Sequence, residues 1–490
     1  IITGILFNCI SIFHSNIWFD EAYSVGLASK SFVDIWKIGG NDVHPVLYYW
    51  ILHIIYIITN GISEIFKISN VMNFSIIAYR IFSAVCISIL GCIGYTHIRK
   101  DFGEKVGILF SFFGYFLPVI CIYTAEVRMY SLAVVLVTIL AIYAYRLSYK
   151  KQDSIKNWLI FGITSLACIY VHYYGLMAAG IINVILLITL IKQQRKTAVY
   201  KILTLGAIQL IAYIPWIMYF MKQLKHVSKG FWIGFEFPKS LMEIVSSQFI
   251  GNLSNSIGFT ISILIYIYLG VKVYKTIKNK QDWKVGITAI SIYLAVIIAA
   301  LVVTVFMKTS ILYFRYLFVI TGLLIFFISY FLAKENKKIT IYAICGITLV
   351  LAVFSNYKQM VEVYDNSNIE PILYMKENIK KDDVIVFYES NFGTGSVVAL
   401  NNLENKQFYY NPSDWGIKEA YRAFGEQFEV YTNTEFLKQC NNRVWIIDTE
   451  NFDYYNMLFN NEDFKLISNK VFKIKYEGYN YNFVLVERVK

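Results

Sequence analysis

Five short polar segments interrupt a strongly apolar sequence, and their residue types suit chemistry on a hydroxyl and a phosphate. They are Trp18-Phe19-Asp20-Glu21 with Tyr23, Asn41-Asp42-Val43-His44-Pro45 with Tyr48 and Tyr49, Glu126-Val127-Arg128-Met129-Tyr130, His172-Tyr173-Tyr174, and Arg315-Tyr316. A positioned carboxylate can take a proton from an attacking hydroxyl and accelerate a reaction by about 10²–10⁴-fold. Arginine matches the oxygens of a phosphate, and aromatic rings pack on sugars at a membrane interface.

Apolar residues dominate the rest of the chain, which must hold these segments in a membrane. Of 490 residues, 57% are hydrophobic and 16% are charged, and the mean hydropathy of +0.51 is far above that of a soluble domain. Eleven membrane spans are predicted, at roughly 1–13, 74–97, 106–124, 130–147, 158–172, 175–191, 202–220, 258–274, 285–306, 314–333 and 339–355. The first run has neither a basic leader nor a cleavage site, so we expect a span rather than a signal peptide.

Charge predicts the orientation of these spans. The connectors rich in lysine and arginine are residues 97–105, 146–156, 192–201, 272–284 and 333–338. They alternate with connectors poor in these residues, so the positive-inside rule puts the N-terminus in the cytoplasm and all five polar segments outside. Residues 46–60 are apolar but only 15 long, and a crossing there would move the basic connectors outside. We expect a helix in the outer interface instead, within a first outer loop of residues 14–73.

The residues after 355 differ in charge and periodicity. Residues 1–355 carry 30 Lys+Arg and 13 Asp+Glu, whereas residues 356–490 carry 15 and 20. A basic membrane region is typical of cytoplasmic loops on anionic lipid, so no nucleic-acid partner is invoked. The tail pattern predicts a helix over 368–381, a strand over 382–390, a glycine turn at 391–396, strand-helix-strand over 428–449 and a hairpin over 470–489. The expected architecture is a polytopic α-helical membrane protein with an extracytoplasmic α/β domain.

Each polar segment also has a purely structural interpretation. The alternatives are an N-cap at Asp20 with Glu21 in the first helical turn, a helix start at His44-Pro45, lipid-headgroup anchoring by Arg128 and Arg315, and an interfacial aromatic belt at His172-Tyr173-Tyr174. Each of these interpretations, taken alone, would exclude one segment from a catalytic or binding role. The coincidence of all five segments on one predicted face favours a shared site.

The ordered set WFDEAYS, NDVHPVLYYW, YTAEVRMYSLAV, HYYG and FRYLF resembles a known family. It is similar to bacterial and archaeal members of the dolichyl-phosphate-mannose protein mannosyltransferase family, glycosyltransferase family 39. These are membrane glycosyltransferases of the GT-C type, related to protein O-mannosyltransferases and lipid A aminoarabinose transferases. The resemblance spans the membrane region and implies a polyprenyl-phosphate sugar donor, an extracytoplasmic active site and inversion by single displacement. It leaves the acceptor open among protein, lipid and polysaccharide.

The same resemblance implies roles for individual residues. Asp20 would be the catalytic base, with Glu21 beside it in the same motif. Glu126 and Arg128 would form an acidic and basic pair in the second outer loop, and Arg315 would meet the donor phosphate. The residues expected to shape the site are Asp42, His44, Tyr48, His172 and Tyr173.

The chain departs from the family pattern at two places. Val46 stands where the family often has the second proline of His-Pro-Pro, and Ala125-Glu126-Val127-Arg128 stands for Gln-Glu-Ala-Arg. Both departures keep the charged residues. The catalytic membrane domain is then expected to be residues 1–355, with its outer loops 14–73 and 221–257 covering the bound lipid. The second loop carries Lys225, His226, Lys229 and the run GFWIGFEF, which could contact donor or acceptor.

A divalent metal is possible by resemblance, because some GT-C enzymes hold one with outer-loop carboxylates and histidine. Asp42, His44, Glu126 and His172 come from three separate segments, and no ligand spacing requires a metal. Six of the seven cysteines lie inside apolar runs, so neither a disulfide framework nor a zinc pattern is visible. The predicted site therefore includes no metal.

A transporter or lipid flippase is the main alternative function. Transporters place ionisable groups and broken helices near the middle of the bilayer and often contain repeats. Here the predicted spans carry almost no charge at their centres, no repeat is apparent, and the polar residues gather at one face. The pattern favours interfacial chemistry, although an inactive membrane scaffold presenting its tail domain remains open at the level of sequence.

Overall fold

The computed structural model describes residues 1–230, 233–251, 255–388, 392–412, 418–476 and 480–489. The membrane-type helices and their connectors are α1 (Ile2–Asn8), α2 (Phe19–Ala28), α3 (Phe32–Gly39), α4 (Leu47–Phe66), α5 (Val71–Ile93), α6 (Arg99–Phe102), α7 (Glu104–Phe116), α8 (Pro118–Ala125), α9 (Tyr130–Ser148), α10 (Ile155–Val171), α11 (Tyr173–Lys192), α12 (Lys196–Lys229), α13 (Lys239–Ile250), α14 (Asn255–Lys278), α15 (Lys284–Met307), α16 (Thr321–Leu332) and α17 (Lys338–Val363). A 3₁₀ segment, Phe314–Ile320, leads directly into α16.

Nine helices in the described part of the chain are long and apolar enough to cross a membrane, and a bent pair makes ten. Eight of them coincide with predicted spans, and the bent pair, α7 and α8, corresponds to the predicted span 106–124. Much of the surface of these helices is apolar; on α15, for example, Phe306 is 83% exposed. Such a surface is stable in lipid and unfavourable in water. The chain is therefore a polytopic α-helical membrane protein.

The structure corrects several span boundaries. The predicted first span contains only the 7-residue helix α1, and α10 has 17 residues, just short of a full crossing. The α7–α8 pair bends by 57° before Pro118, because proline lacks the backbone N–H and disfavours helical geometry in the preceding residue. Helix α4 runs on through Gly61 to Phe66, so its 20 residues reach crossing length. The interfacial position of residues 46–60 was predicted from a length of 15 residues, and that length is wrong because the helix is longer.

The chain forms two compact units. The first contains residues 1–13, 43–48 and 78–359. Its centre is α16, in which every residue is buried, packed against α7, α9 and α15. The α9 contact is close: a Cβ atom on Gly322 would lie 1.9 Å from Thr138 Oγ1. Glycine thus allows the two helices to approach, as small residues commonly do in membrane bundles.

The second unit contains residues 14–42, 49–77 and 360–490. Its sheet has the order β3-β2-β1-β4-β6-β5, with the first four strands parallel and β6 antiparallel to both of its neighbours. The strands are β1 (Val384–Tyr388), β2 (Lys406–Tyr410), β3 (Phe428–Tyr431), β4 (Arg443–Asp448), β5 (Phe464–Lys473) and β6 (Asn480–Arg488), with helices α18 (Glu370–Asn378) and α19 (Phe392–Asn401). The first outer loop predicted from the sequence contributes most of its residues to this unit.

The tail prediction holds for most of its elements. Helix α18, strands β1, β3, β4 and β6, and the 3₁₀ segment Thr434–Gln439 fall within predicted segments, whereas β5 begins at Phe464, before the predicted hairpin 470–489. The glycine turn is wrong: Gly393 and Gly395 lie in the first turn of α19, and Asn391 lies outside the described residues. A Cβ on Gly395 would sit 3.0 Å from the Phe387 ring, so a small residue there lets α19 pack on β1. Strand β2 was not predicted.

Helix α2, which carries the WFDEAYS motif, packs in this unit against α19 and the 3₁₀ segment Lys418–Phe424. A Cβ on Gly26 would lie 2.6 Å from the Ala423 carbonyl oxygen, closer than any side chain tolerates. Tyr23, from the same helix, packs edge-on against Tyr49 and Phe424. The acidic motif is thus held by contacts within the second unit.

Candidate functional site

The segment between α8 and α9 is anchored by buried side chains of α5. The Arg80 guanidinium, which is fully buried, donates to the carbonyl oxygen of Ala125. Ser83 donates its hydroxyl to the carbonyl oxygen of Glu126 at 2.8 Å. These bonds satisfy carbonyl groups at the helix end, where intrahelical partners are missing. Arg80 was not among the predicted site residues, although an arginine inside the apolar run 74–97 was a signal that it has a specific partner.

Glu126 and Arg315 come together although they lie far apart in sequence. Arg315 Nη1 is 3.5 Å from Glu126 Oε1, and both side chains are largely buried, at 18% and 9% exposure. At this distance the interaction is mainly Coulombic, because good hydrogen bonds of this type are shorter. The Arg315 guanidinium also lies 5.9 Å from the centre of the Tyr313 ring, within the range of a cation–π contact. The 3₁₀ segment before α16 therefore presents a cation held by one carboxylate and one ring.

Two buried imidazoles form an aromatic cluster beside Arg128. The rings of His44 and His172 are 5.2 Å apart and tilted by 33°. The Tyr316 ring lies 5.2 Å from His172 and 6.2 Å from His44, and Tyr130 lies 5.6 Å from His172. Burial lowers the pKa of both histidines and the positive charge of Arg128 lowers it further, for His172 to about 3. Both imidazoles are therefore neutral at physiological pH.

His172 has a second role at the start of α11. Its Nδ1 accepts a hydrogen bond from the Tyr174 backbone N–H at 3.0 Å, which caps the helix. Its Nε2 is buried and makes no hydrogen bond to the described residues, and the same holds for His44 Nδ1. A buried polar nitrogen without a partner is costly, so a ligand group that bonds to it would be favoured. His172 therefore has a free ring nitrogen in addition to its role as a helix cap, which an interfacial aromatic belt alone does not explain.

These rings border a cavity of about 160 Å³ in the first unit. Its polar lining residues are His44, His172, Tyr173, Tyr174, Gln223 and Tyr316, and its apolar ones are Val43, Leu176, Met177, Phe220, Leu224, Val227, Val303, Met307 and Ile311. The Tyr173 hydroxyl is fixed on that wall, because it accepts from Trp216 Nε1 at 3.2 Å and donates to Gln223. A mainly apolar cavity with a few polar groups suits a lipid near its head group.

The predicted outer segment 221–257 lies largely in helices. Lys225, His226 and Lys229 belong to the last turns of α12, and α13 follows after a short connector. Within the aromatic run GFWIGFEF, Phe231 and Trp232 lie outside the described residues. The final turns of α12 supply part of the cavity wall through Phe220, Gln223, Leu224 and Val227.

Asp20 and Glu21 lie in the second unit, in the first turn of α2. The helix begins at Phe19 with Trp18 at the N-cap position, so the interpretation of Asp20 as the N-cap is wrong. Glu21 is fully buried, and its Oε2 accepts from the Tyr476 hydroxyl at 2.8 Å and from the Trp18 backbone N–H at 3.4 Å. A carboxylate there is also favoured by the helix dipole. Asp20, in contrast, is only half-buried.

The remaining predicted residues have separate positions. Asp42 is half-buried just after α3, where its backbone N–H donates to the Gly39 carbonyl oxygen at 3.1 Å. Tyr48 is buried in the first unit with its ring 6.4 Å from that of Phe82. Helix α4 starts at Leu47, so the interpretation of His44-Pro45 as a helix start with proline at N1 is also wrong.

The possible metal can be tested against the donor groups. Among the residues that the structure describes, no three His, Cys, Asp or Glu side chains lie close enough together to hold a metal ion. The histidine pair in the first unit offers two nitrogen ligands, whereas protein metal sites usually use three or more protein ligands. We therefore derive no step of the reaction through a metal.

Comparison with known proteins identifies the fold. No protein-family model matches the chain, and no curated protein sequence matches it. Solved structures do match: ArnT from Cupriavidus metallidurans in the apo state aligns over 100% of this chain and 96% of its own, with a TM-score of 0.59 and 10% sequence identity. The same protein bound to undecaprenyl phosphate aligns over 100% and 97%, with a TM-score of 0.63 and 10% identity. The chain therefore has an ArnT-like fold.

The two roles of His172 can be separated by substitution. His172→Ala removes the cap of α11 and is expected to lower the free energy of unfolding by about 1 kcal/mol or more. His172→Asn retains an acceptor for the Tyr174 N–H and should recover much of that stability, but neither variant restores the ring that borders the cavity. Thermal unfolding in detergent measures the effect on stability, and binding of added undecaprenyl phosphate measures the effect on the cavity.

Ser154 provides the matched control, because its hydroxyl caps α10 by accepting from the Asn157 N–H at 3.3 Å, at the start of a helix outside the cavity lining. Ser154→Ala should lower stability to a similar extent while binding of added undecaprenyl phosphate is unchanged. If His172→Ala binds this probe as the wild-type protein does, the imidazole serves only the helix.

Proposed function

We propose that this protein is a membrane glycosyltransferase that moves one sugar from a polyprenyl-phosphate donor to an extracytoplasmic acceptor. The observation that carries the proposal is the arrangement in the first unit: a mainly apolar cavity lined by two imidazoles with unpartnered nitrogens, together with the buried Arg315–Glu126 pair. Its support is the ArnT-like fold of the whole chain, because the structure of ArnT was also solved with undecaprenyl phosphate bound. The resemblance of the motifs to the mannosyltransferase family favours a hexose as the transferred sugar.

The donor would be held through its two chemically different parts. Arg315 and Arg128 are the proposed phosphate ligands, since guanidinium groups bind phosphate oxygens through parallel, charge-assisted hydrogen bonds. Glu126 keeps Arg315 in place without neutralising it fully, because the pair is 3.5 Å apart. The apolar wall of the cavity would receive the first isoprenoid units, whose transfer from water is favourable in proportion to the buried area.

The reaction would be a single displacement with Asp20 as the base. The hydroxyl oxygen of the acceptor attacks the anomeric carbon while its proton passes to the Asp20 carboxylate. The bond from that carbon to the phosphate oxygen breaks, and its electron pair leaves with the polyprenyl phosphate, so the configuration is inverted. Arg128 and Arg315 would stabilise the charge on the leaving phosphate. Glu21, which is buried and bonded to Tyr476, is proposed to fix the position of the helix that carries Asp20.

Mass spectrometry of lipids that copurify with the protein tests the donor class. We expect a polyprenyl phosphate or its sugar conjugate in the extract of the wild-type protein, and a lower amount with Arg315→Ala. Extracts that contain only bulk phospholipid, with no polyprenyl species retained under mild detergent, would contradict the proposed donor.

The proposed location is the cell membrane, with the N-terminus in the cytoplasm and the C-terminal residues 356–490 outside. Lys100, in a basic connector, and Asp382, before β1, are both exposed and suit replacement by cysteine. A membrane-impermeant maleimide should label Asp382→Cys in intact cells but Lys100→Cys only after permeabilisation, with the wild-type protein as the background control. The reverse labelling pattern would overturn this orientation.

A further inference from the structure

A second cavity, in the second unit, has a different chemistry from the first. It measures about 280 Å³. Its wall is formed by Ser15, Asn16, Ile17, Met72, Asn73, Ile76, Asn368, Ile369, Ile372, Leu373, Lys376, Val397, Asn401, Ile474, Tyr476 and Tyr481. Carboxamides, hydroxyls and aliphatic groups therefore share one wall, and Lys376 is the one charged residue among these lining side chains.

Several of these polar groups are available to a ligand. Within the described residues, neither the Lys376 ammonium nor the Asn73 carboxamide has a hydrogen-bond or ion-pair partner. The cap at the start of α5 does not need the Asn73 side chain, because there the Asn73 backbone N–H donates to Asn70 Oδ1 at 3.1 Å. Asn401 uses its amide group on the Val397 carbonyl oxygen at 2.9 Å, which leaves its own oxygen as an acceptor.

One part of the wall is fixed by hydrogen bonds of Asn368 and Tyr476. Asn368 Oδ1 accepts from the backbone N–H groups of Lys475 and Tyr476 at 3.2 and 3.0 Å. Its amide group donates to the Glu362 carbonyl oxygen at 2.8 Å. Wall groups that are held before the ligand arrives, as Asn368 is, lose little conformational entropy on binding. Tyr476 also joins this wall to the acidic motif, since its hydroxyl donates to Glu21.

We propose that this cavity binds one pyranose unit of the acceptor, and that this unit carries a negative charge. Carboxamides donate and accept at once and so match sugar hydroxyls, which do the same. The tyrosine and aliphatic side chains suit the apolar face of a pyranose ring. Lys376, with no carboxylate among its lining neighbours, attracts a carboxylate or phosphate substituent. The assignment of this ligand as the acceptor rests on the proposed transferase function.

Binding of free sugars to the full-length protein in detergent tests the cavity. The probes are glucuronate and glucose 6-phosphate, with glucose as the neutral comparison, followed by saturation-transfer NMR and competition. We expect both anionic sugars to bind more tightly than glucose. Lys376→Gln should weaken the anionic probes by up to about fivefold, because an ion pair at an exposed lysine contributes up to about 1 kcal/mol, and should leave glucose unchanged. Asn73→Ala should weaken all three probes.

Lys380→Gln is the matched control, since Lys380 is exposed two residues after α18 and lies outside the cavity wall. It makes the same change in charge and should leave all affinities at the wild-type value. The proposal is overturned if no probe binds, if Lys380→Gln and Lys376→Gln have equal effects, or if Asn73→Ala and Lys376→Gln both bind like the wild-type protein.

The outcome can be separated from that of the transferase proposal. Suppose that the wild-type protein turns over no donor but binds glucuronate in a way that depends on Lys376 and Asn73. The sugar site is then kept, and only its assignment to an acceptor is overturned. Donor turnover without such binding would keep the transferase and overturn this site.

Discussion

Replacing Asp20 with asparagine is expected to lower the rate of sugar transfer by about 10²–10⁴-fold, the contribution of a positioned general base. The substitution keeps the size and planarity of the side chain but removes the negative charge that accepts the proton. Asp20 is half-buried in the first turn of α2, so the amide fits without burying a new polar group. Donor binding should be retained, because the proposed donor ligands are arginines. Initial rates with a polyprenyl-phosphate sugar measure the loss of transfer. A separate measurement of donor affinity tests whether donor binding is retained.

Asp34→Asn is the matched control for that variant. Asp34 lies in the first turn of the neighbouring helix α3 of the same unit, where it accepts from the Ser31 hydroxyl at 2.6 Å. The Asp34→Asn variant makes the same chemical change at a helix start that has no proposed role in transfer. Its rate of sugar transfer should therefore equal that of the wild-type protein. If Asp20→Asn turns over at the wild-type rate, Asp20 is not the base.

Arg315→Ala is expected to lower kcat/KM for the donor by about 10²-fold, since charge-assisted hydrogen bonds contribute about 1.5–3 kcal/mol each. Arg315→Lys should recover only part of this loss, because lysine keeps the charge but not the forked geometry. The single substitution also leaves the Glu126 carboxylate buried without its cation, which destabilises the fold. Kinetics should therefore be compared with thermal unfolding in the same detergent.

Two further variants separate binding from stability. Glu126→Gln combined with Arg315→Ala removes the uncompensated carboxylate, so its unfolding temperature should rise above that of Arg315→Ala while donor affinity stays low. Lys284→Gln removes an exposed cation at the start of α15 and should change neither property. Wild-type donor affinity in the stabilised double variant would show that Arg315 does not bind the phosphate.

The sequence predicts the membrane architecture well because span length and hydrophobicity follow directly from the bilayer. The errors fall where tertiary contacts outweigh local signals. Gly61 does not end α4, since an isolated glycine costs a helix only about 1 kcal/mol. Gly393 and Gly395 were predicted to form a turn, yet they lie in the first turn of α19. That helix packs closely on β1 at Gly395. Strand β2 is short, and its pairing with β1 and β3 depends on contacts distant in sequence.

The candidate site was partly predictable for a similar reason. Motif residues indicate which side chains carry charge, and the structure brings Glu126 to Arg315 and His44 to His172 within the first unit. The role of Arg80 depends on the Ala125 carbonyl oxygen, which lies 45 residues further along the chain, and no local pattern reveals such a partner. The catalytic role of Asp20 stays a prediction that rests on its motif.

Release of polyprenyl phosphate from a panel of polyprenyl-phosphate sugars, by the purified protein in lipid nanodiscs, tests the central claim most directly. Chromatography of the lipid products should show release by the wild-type protein with at least one hexose donor, and none above background with Asp20→Asn. Movement of the intact lipid-linked sugar across liposome membranes, without release of polyprenyl phosphate from any donor, would contradict the transferase and favour a flippase.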